Sequence, residues 1–164
     1  MLSRRIPPGP GQESVWDYPR PPALVDSPKH IKIVFNDQVI AESNQTKRVL
    51  ETSHPPVYYI PPADIAMEYL TGASGTSFCE WKGRAHYYSL TVGEQIAERV
   101  AWYYPTPTER FKSMANYVAF YPSTMDACYV DNEQVQAQAG DFYGGWITSD
   151  IVGPFKGEAN TWGW

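Results

Sequence analysis

Fifteen prolines are scattered through a chain of 164 residues, and they deny it long regular elements over much of its length. Proline has no N–H, breaks a helix interior and is confined to the edges of a sheet. It also pushes the residue before it toward extended backbone. Several prolines stand beside rings, as in Pro55-Pro56-Val57-Tyr58-Tyr59-Ile60-Pro61-Pro62 and Trp102-Tyr103-Tyr104-Pro105. With 12 Tyr, 6 Trp and 6 Phe, rings replace aliphatic side chains as the core material. Tyr and Trp bury a large apolar body and keep a polar tip. Such a chain suits a small sheet protein of short elements whose interior includes a lined cavity.

The order of strand and turn signals supports this. Ile31, Ile33 and Phe35 alternate with Lys32 and Val34, and Asn36-Asp37 turns the chain into Gln38 to Glu42. Asn and Asp tolerate the positive φ of a tight hairpin. A further strand is predicted over Lys47 to Glu51 and a short edge strand over Val57 to Ile60. A single helical turn follows near Ala63 to Met67, with Asp64 at its positive end. Thr76 to Trp81, Arg84 to Val92 and Ile96 to Tyr104 read as a three-stranded meander. Thr106-Pro107-Thr108-Glu109 has the form of a capping box, and Phe111, Met114, Ala115 and Val118 share one helical face, which predicts a helix ending near Asn116. Tyr117 to Tyr121 and Asp126 to Val130 are two more strands, with a last hairpin turning at Asn132-Glu133. Gly145 to Ile147 is a short strand in the tail. The fold class is mainly β: a small antiparallel barrel or tent with one short helix and extended arms at both ends.

Three regions are expected. Residues 1–28 form an arm whose first dozen residues are mobile and whose Val15-Trp16-Asp17-Tyr18-Pro19 segment docks through its rings. Residues 29–135 form the β-domain. Residues 136–164 form an extension, rich in Gly and Trp, that packs on the body. Asp and Glu outnumber Lys and Arg by 18 to 13, giving a net charge of -5. That disfavours nucleic acid, whose phosphates need concentrated cations. No apolar run approaches the roughly 20 residues of a bilayer span, and Met1 to Pro8 lack the apolar stretch of a secretory signal, twin Arg4-Arg5 included. The expectation is a cytoplasmic protein that engages neither membrane nor nucleic acid. A homodimer is compatible with the residues.

The chemistry-bearing residues are few. Glu51 and His54 are three apart, so a carboxylate could orient an imidazole for proton transfer. The bland alternative is a histidine fixing a proline-rich turn. Cys79 shares a strand face with Ser77 and Trp81, with Lys82 near enough to activate a thiol. A buried inert thiol is the competing reading. Cys79 and Cys128 form no C-x-x-C pair, so two free thiols are expected and no metal site is predicted. Neither G-x-x-x-x-G-K-[ST] nor G-x-G-x-x-G occurs, and no D-x-D offers a clamp for Mg²⁺, so no cofactor is predicted. Trp102 and Tyr104 share one face of their strand, with Tyr103 opposite, and Tyr87 lies opposite Tyr88.

An ordered series runs through these residues: Phe35-Asn36-Asp37, Ile40-Ala41-Glu42-Ser43, Glu51-Thr52-Ser53-His54, Tyr58-Tyr59-Ile60-Pro61, Cys79-Glu80-Trp81-Lys82-Gly83, Tyr87-Tyr88, Ala101 to Pro105 and Tyr117 to Tyr121. Over about residues 31–122 it resembles the family catalogued as domain of unknown function 427, sometimes labelled nucleotidyltransferase family 9. The flanks Glu13 to Pro21 and Phe142 to Trp164 resemble its longer members. The resemblance implies a small β-barrel or tent akin to the Mss-four-like topology. The paired cysteine knuckles with which relatives of that topology hold zinc do not occur here, and no catalytic residue carries over. The leading expectation is a domain that binds an unidentified small molecule in an aromatic pocket. Trp81, Tyr87, Trp102 and Tyr103 would be its walls and Glu51, His54 and Lys82 its polar anchors, with Cys79 beside them. Two rivals stay open. One is a hydrolase or transferase using Cys79 or the Glu51/His54 pair. The other is an interaction module without a pocket, binding a partner through the rings of its arms.

Overall fold

Strand pairing organises the fold in the computed structural model, which describes residues 5–139 and 144–157. Arg4, Phe142, Tyr143, Trp162 and Trp164, singled out above, lie outside the described residues. The strands in chain order are β1 (Glu13–Ser14), β2 (Ala23–Ser27), β3 (Ile31–Phe35), β4 (Gln38–Ser43), β5 (Thr46–Leu50), β6 (Val57–Tyr59), β7 (Leu70–Cys79) and β8 (Gly83–Val92). They continue with β9 (Gln95–Tyr103), β10 (Val118–Phe120), β11 (Ala127–Val130), β12 (Glu133–Gln134), β13 (Gln136–Ala137), β14 (Trp146–Ile147) and β15 (Ile151–Val152). A central sheet has the order β10-β9-β8-β7, a second β12-β11-β3-β4 and a third β2-β5-β6. These pairings are antiparallel, as is β13 with β14, whereas β1 pairs with β15 in parallel.

The first hairpin forms as its sequence predicts. Asn36 and Asp37 both have positive φ, 47° and 62°, which matches the twist of the flanking strands. Ile31, Ile33 and Phe35 are buried while Lys32 and Val34 are half-buried. The last hairpin turns one residue earlier than expected. Asp131 and Asn132 carry the positive φ, 48° and 68°, and Glu133 already pairs with Val130. The Ile60 amide donates to the Val118 carbonyl and receives the Val118 amide in return, both at 2.9 Å, which ties the third sheet to the central one. Ala41 and Ile65 form a second antiparallel bridge, where the Ala66 amide donates to the Ile40 carbonyl at 2.8 Å. Among the described residues these joined sheets do not close into a barrel.

Two expectations need correction. Strand β7 begins at Leu70, six residues before the predicted start at Thr76. Thr71 to Gly75 lacks apolar alternation, and the segment is held by pairing with β8 from Leu70↔Leu90 to Ala73↔Tyr87. The predicted helix is a single 3₁₀ segment, Glu109–Met114, with Thr108 at its N-terminus and no side-chain cap. The Thr108 hydroxyl instead donates to the Trp81 carbonyl at 2.6 Å, and the Thr108 amide to the Lys82 carbonyl at 3.0 Å. Thr108 thereby pins the β7–β8 turn, and Glu109 pairs with Lys112 instead of reaching back to Thr106. Phe111 and Met114 are buried even so, because a spacing of three suits a 3₁₀ face.

Alternation along β8, β9 and β10 sends side chains to both faces of the central sheet. Leu90, Val92, Val100, Ala101, Val118 and Phe120 join Ile31, Ile33, Ile40 and Trp146 in one core. Ala85, Trp102, Tyr104 and Ala119 face the other way, toward Val49, Tyr59, Phe111 and Met114. Val15, Tyr18, Leu50 and Ile151 form a third, smaller cluster where the two terminal segments meet. Among the described residues no helix is long and apolar enough to cross a membrane.

Candidate functional site

Large rings of the central sheet, on β8 and β9, meet the third sheet, with Tyr59 on β6, without filling the space between. A cavity of about 240 Å³ remains, with Val49, Tyr59, Ala85, Trp102 and Tyr104 in its wall. Glu51, His54, Ser77, Lys82 and Tyr87 also face it. The ring geometry explains why it is not squeezed shut. The Trp102 indole N–H donates to the buried Tyr59 hydroxyl at 3.1 Å, and the two rings meet edge to face with centroids 6.3 Å apart. On its other side Trp102 packs on Tyr121, centroids 4.5 Å apart. Gly144 lies against the same indole, where an added Cβ would come within 2.2 Å of Trp102. Burial pushes the pKa of Tyr59 and of Tyr104 up, so both hydroxyls stay protonated at ordinary pH.

The Glu51–His54 turn is shaped by contacts from both ends of the chain. Ser53 takes a left-handed conformation, φ 72°. Its amide donates to the Val15 carbonyl at 3.0 Å, and its own carbonyl accepts from the Lys156 amide at 2.8 Å. Thr52 is held on the N-terminal segment, its amide donating to the Pro19 carbonyl and its hydroxyl to that of Tyr18. His54 Nδ1 lies 2.9 Å from the Thr52 carbonyl. A carbonyl can only accept, so Nδ1 carries the proton and Nε2 the lone pair. Burial lowers the His54 pKa, outweighing the Thr52 hydrogen bond and the Glu51 charge, while Arg20 and Lys156 act in the same direction as burial. The ring is therefore neutral at pH 7. Glu51 faces Arg20, whose Nε is 3.9 Å from its carboxylate.

Lys82 lies in the turn that Thr108 pins. Its ammonium lies 5.9 Å from the centroid of the Tyr104 ring. Gln138 and Gly144 complete the wall from the C-terminal side. The Gln138 side chain accepts from the Gly145 amide at 3.2 Å and donates to the Lys156 carbonyl at 2.7 Å.

Of the residues singled out from sequence, the cavity brings together Glu51, His54, Lys82, Tyr87 and Trp102. Trp81 lines a separate depression with Glu80, Thr108 and Arg110. Tyr103 lies on the opposite face, stacked on Tyr88 with centroids 4.5 Å apart and close to His86. Cys79 is half-buried at the end of β7, outside the cavity wall, and Cys128 is sealed in the first core; both are free thiols. No group of three or more His, Cys, Asp or Glu among the described residues is placed to hold a metal ion. Sequence reasoning missed Tyr59, Tyr121, Gln138 and Gly144. Tyr104 was within its reach, since it shares the strand face of Trp102. Nothing local marks Gln138 or Gly144, which arrive from a distant segment.

A family model described as a domain of unknown function (DUF427) matches residues 23–131. That stretch carries the cavity wall except for Gln138 and Gly144. No curated protein matches the chain.

Proposed function

We propose that this chain, which belongs to the DUF427 family, binds a small molecule in the cavity beside Trp102. The family carries no assigned activity, so the reading rests on the geometry. One observation carries it: an unfilled space walled by tyrosine and tryptophan, with a carboxylate, a neutral imidazole, an ammonium and protonated phenols converging on it. Apolar walls with a few placed polar groups are the usual make-up of a ligand pocket. Rings give planar contact surface, and the polar tips fix orientation. The test is a thermal-shift screen of the full chain against a metabolite library, repeated on Tyr87→Ala. Binders should raise the melting temperature of the wild type and lose that effect in the variant. A screen with no binder, or with binders indifferent to the variant, would defeat the reading.

A catalytic role for Glu51 and His54 has a narrower support. The imidazole is neutral, and its Nδ1 contact with the Thr52 carbonyl leaves the lone pair on Nε2, as a general base requires. Any turnover found with a cavity ligand should then vanish in His54→Gln without loss of binding. Turnover that survives the substitution would remove the histidine from the chemistry.

A further inference from the structure

Two irregularities in the central sheet converge on one side chain beside a cavity wall. On β7 the register breaks between Ala73 and Thr76, so Ser74 and Gly75 bulge out. On β9 residues 98–100 stand opposite the single residue Ser89, since Tyr88 pairs with Ala101 and Leu90 with Ala97. Arg99, at the middle of that second bulge, takes φ 52°, a conformation uncommon outside glycine. Its amide is held by the Ser89 hydroxyl at 3.1 Å. Bulges re-aim side chains, and this pair re-aims Arg99. Its guanidinium lies 4.2 Å from the centroid of the Tyr87 ring. It also presses on the first bulge, where a Cβ on Gly75 would be 3.3 Å from Nη1, and Gly75 has φ +90°. Tyr87 lines the cavity, whereas Arg99 is exposed and lies against that wall residue without itself joining the lining.

Lys82 and Arg99 thus share an unusual position. Each lies over a tyrosine ring that walls the cavity. Neither belongs to any ion pair among the described residues, where the other close cation–carboxylate contacts involve Arg20, Lys29, His30, Lys47, Arg48 and Lys112. In a chain with five more acids than bases, 18 against 13, carboxylates are not scarce. Lys82 lines the cavity, Arg99 lies against its Tyr87 wall, and neither is paired with a carboxylate, so the two offer charge to an anion from outside. The charge of that anion is bounded too. Glu51 faces the same space, and a like charge there disfavours a second negative charge on the ligand.

We infer that the ligand of this cavity is a small aromatic monocarboxylate, its ring against Trp102 and Tyr87 and its charge met by Lys82 and Arg99. The inference rests on the cavity being a binding site and adds the class of molecule that it takes. Calorimetry on the full chain with three probes tests it: 4-hydroxyphenylacetate, its neutral amide, and phenyl phosphate. The carboxylate should bind about tenfold tighter than the amide, since a charge-assisted contact is worth roughly that factor. Lys82→Met and Arg99→Gln should each weaken the carboxylate several-fold and leave the amide unchanged, with Arg99→Lys recovering part of the loss. Equal binding of carboxylate and amide would overturn the inference and leave the cavity reading standing. Tighter binding of phenyl phosphate would overturn the choice of a singly charged group. Failure of all three probes to bind would count against both readings. Variants that weaken carboxylate and amide alike would show that Lys82 and Arg99 support the wall and do not receive the charge.

Discussion

The two faces of the central sheet are built from one set of strands and end in opposite conditions. On one face Leu90, Val100, Val118 and Phe120 interlock with Ile31, Ile33 and Ile40, each of them at most 2 % exposed. On the other, Ala85, Tyr87, Trp102 and Tyr104 meet the third sheet across a cavity of about 240 Å³. Branched aliphatic side chains can settle into each other's gaps at close to crystal density. Rings tied by hydrogen bonds at their tips cannot slide to close a gap, and the Trp102–Tyr59 bond fixes two of them. Polar groups at the cavity supply a reason for water or a ligand to occupy it. The comparison teaches that a protein this small can pack one side of a sheet solid and leave the other walled around a space.

The sharpest way to break this contrast is to truncate one side chain on each face. Phe120→Ala should cost about 3–5 kcal/mol, the usual result of emptying a packed aromatic site. Tyr87→Ala, at a half-buried wall position, should cost about 1 kcal/mol or less while removing ligand binding. Urea unfolding midpoints compare the two directly, and equal losses would erase the distinction. Next in size is Gly144→Ala, whose new Cβ would meet the Trp102 indole at 2.2 Å. Overpacking of this kind costs about 1–3 kcal/mol, and the Trp fluorescence should shift as the wall moves. An unchanged spectrum would mean that the segment yields and the indole does not.

Acid should loosen the cavity face before the packed one. The cavity's Glu51–His54 turn is held by terminal segments that ionic contacts secure. Burial raises the Glu13 pKa, but the Arg48 and Tyr18 hydrogen bonds and the Arg48 charge outweigh it and leave the carboxyl below its ordinary 4.5. Asp150 is likewise held below 3.8, Lys29 and Thr148 overcoming its burial. Depressed carboxyls stabilise the fold above their unfolded values, and the contribution is lost as pH falls through the folded ones. His54 acts at higher pH: its lowered pKa favours the neutral ring, so stability declines as pH drops below the ordinary 6.5. Hydrogen-exchange protection factors, which remove the intrinsic pH dependence of exchange, should therefore fall over residues 51–57 before they do in β10 as pH is lowered from 7 to 3. Simultaneous loosening would deny the two faces their independence. The smallest effect is chemical. Iodoacetamide should modify half-exposed Cys79 in the native protein and spare Cys128, whose pKa burial pushes up to about 12. Two labels per native chain would show that the packed face opens readily.

Much of the architecture was legible because its signals are local. Asn36-Asp37 announces its hairpin, and Tyr58 to Pro62 can only be a short strand with irregular flanks. The parity of Trp102, Tyr103 and Tyr104 correctly set two rings against one. The capping box misled because the helix starts two residues later than it implies: Thr108, not Thr106, stands at its N-terminus and binds the carbonyls of Trp81 and Lys82 across the turn. At the cavity, Glu51, His54, Lys82, Tyr87 and Trp102 were chosen from chemistry and strand face. Trp81 and Tyr103 were chosen as rings, and the turn and the opposite face took them elsewhere.

Composition and periodicity alone determined that this would be a mainly antiparallel β-protein with an aromatic interior, because proline spacing and side-chain alternation act within a few residues. Which rings would surround a space, and which would fill one, was decided by tertiary structure. Ser53 is held between Val15 and Lys156, and Gly144 is set against Trp102, by segments about 40 to 100 residues away. Contacts over such separations depend on the whole chain closing on itself, and no short stretch of sequence records them.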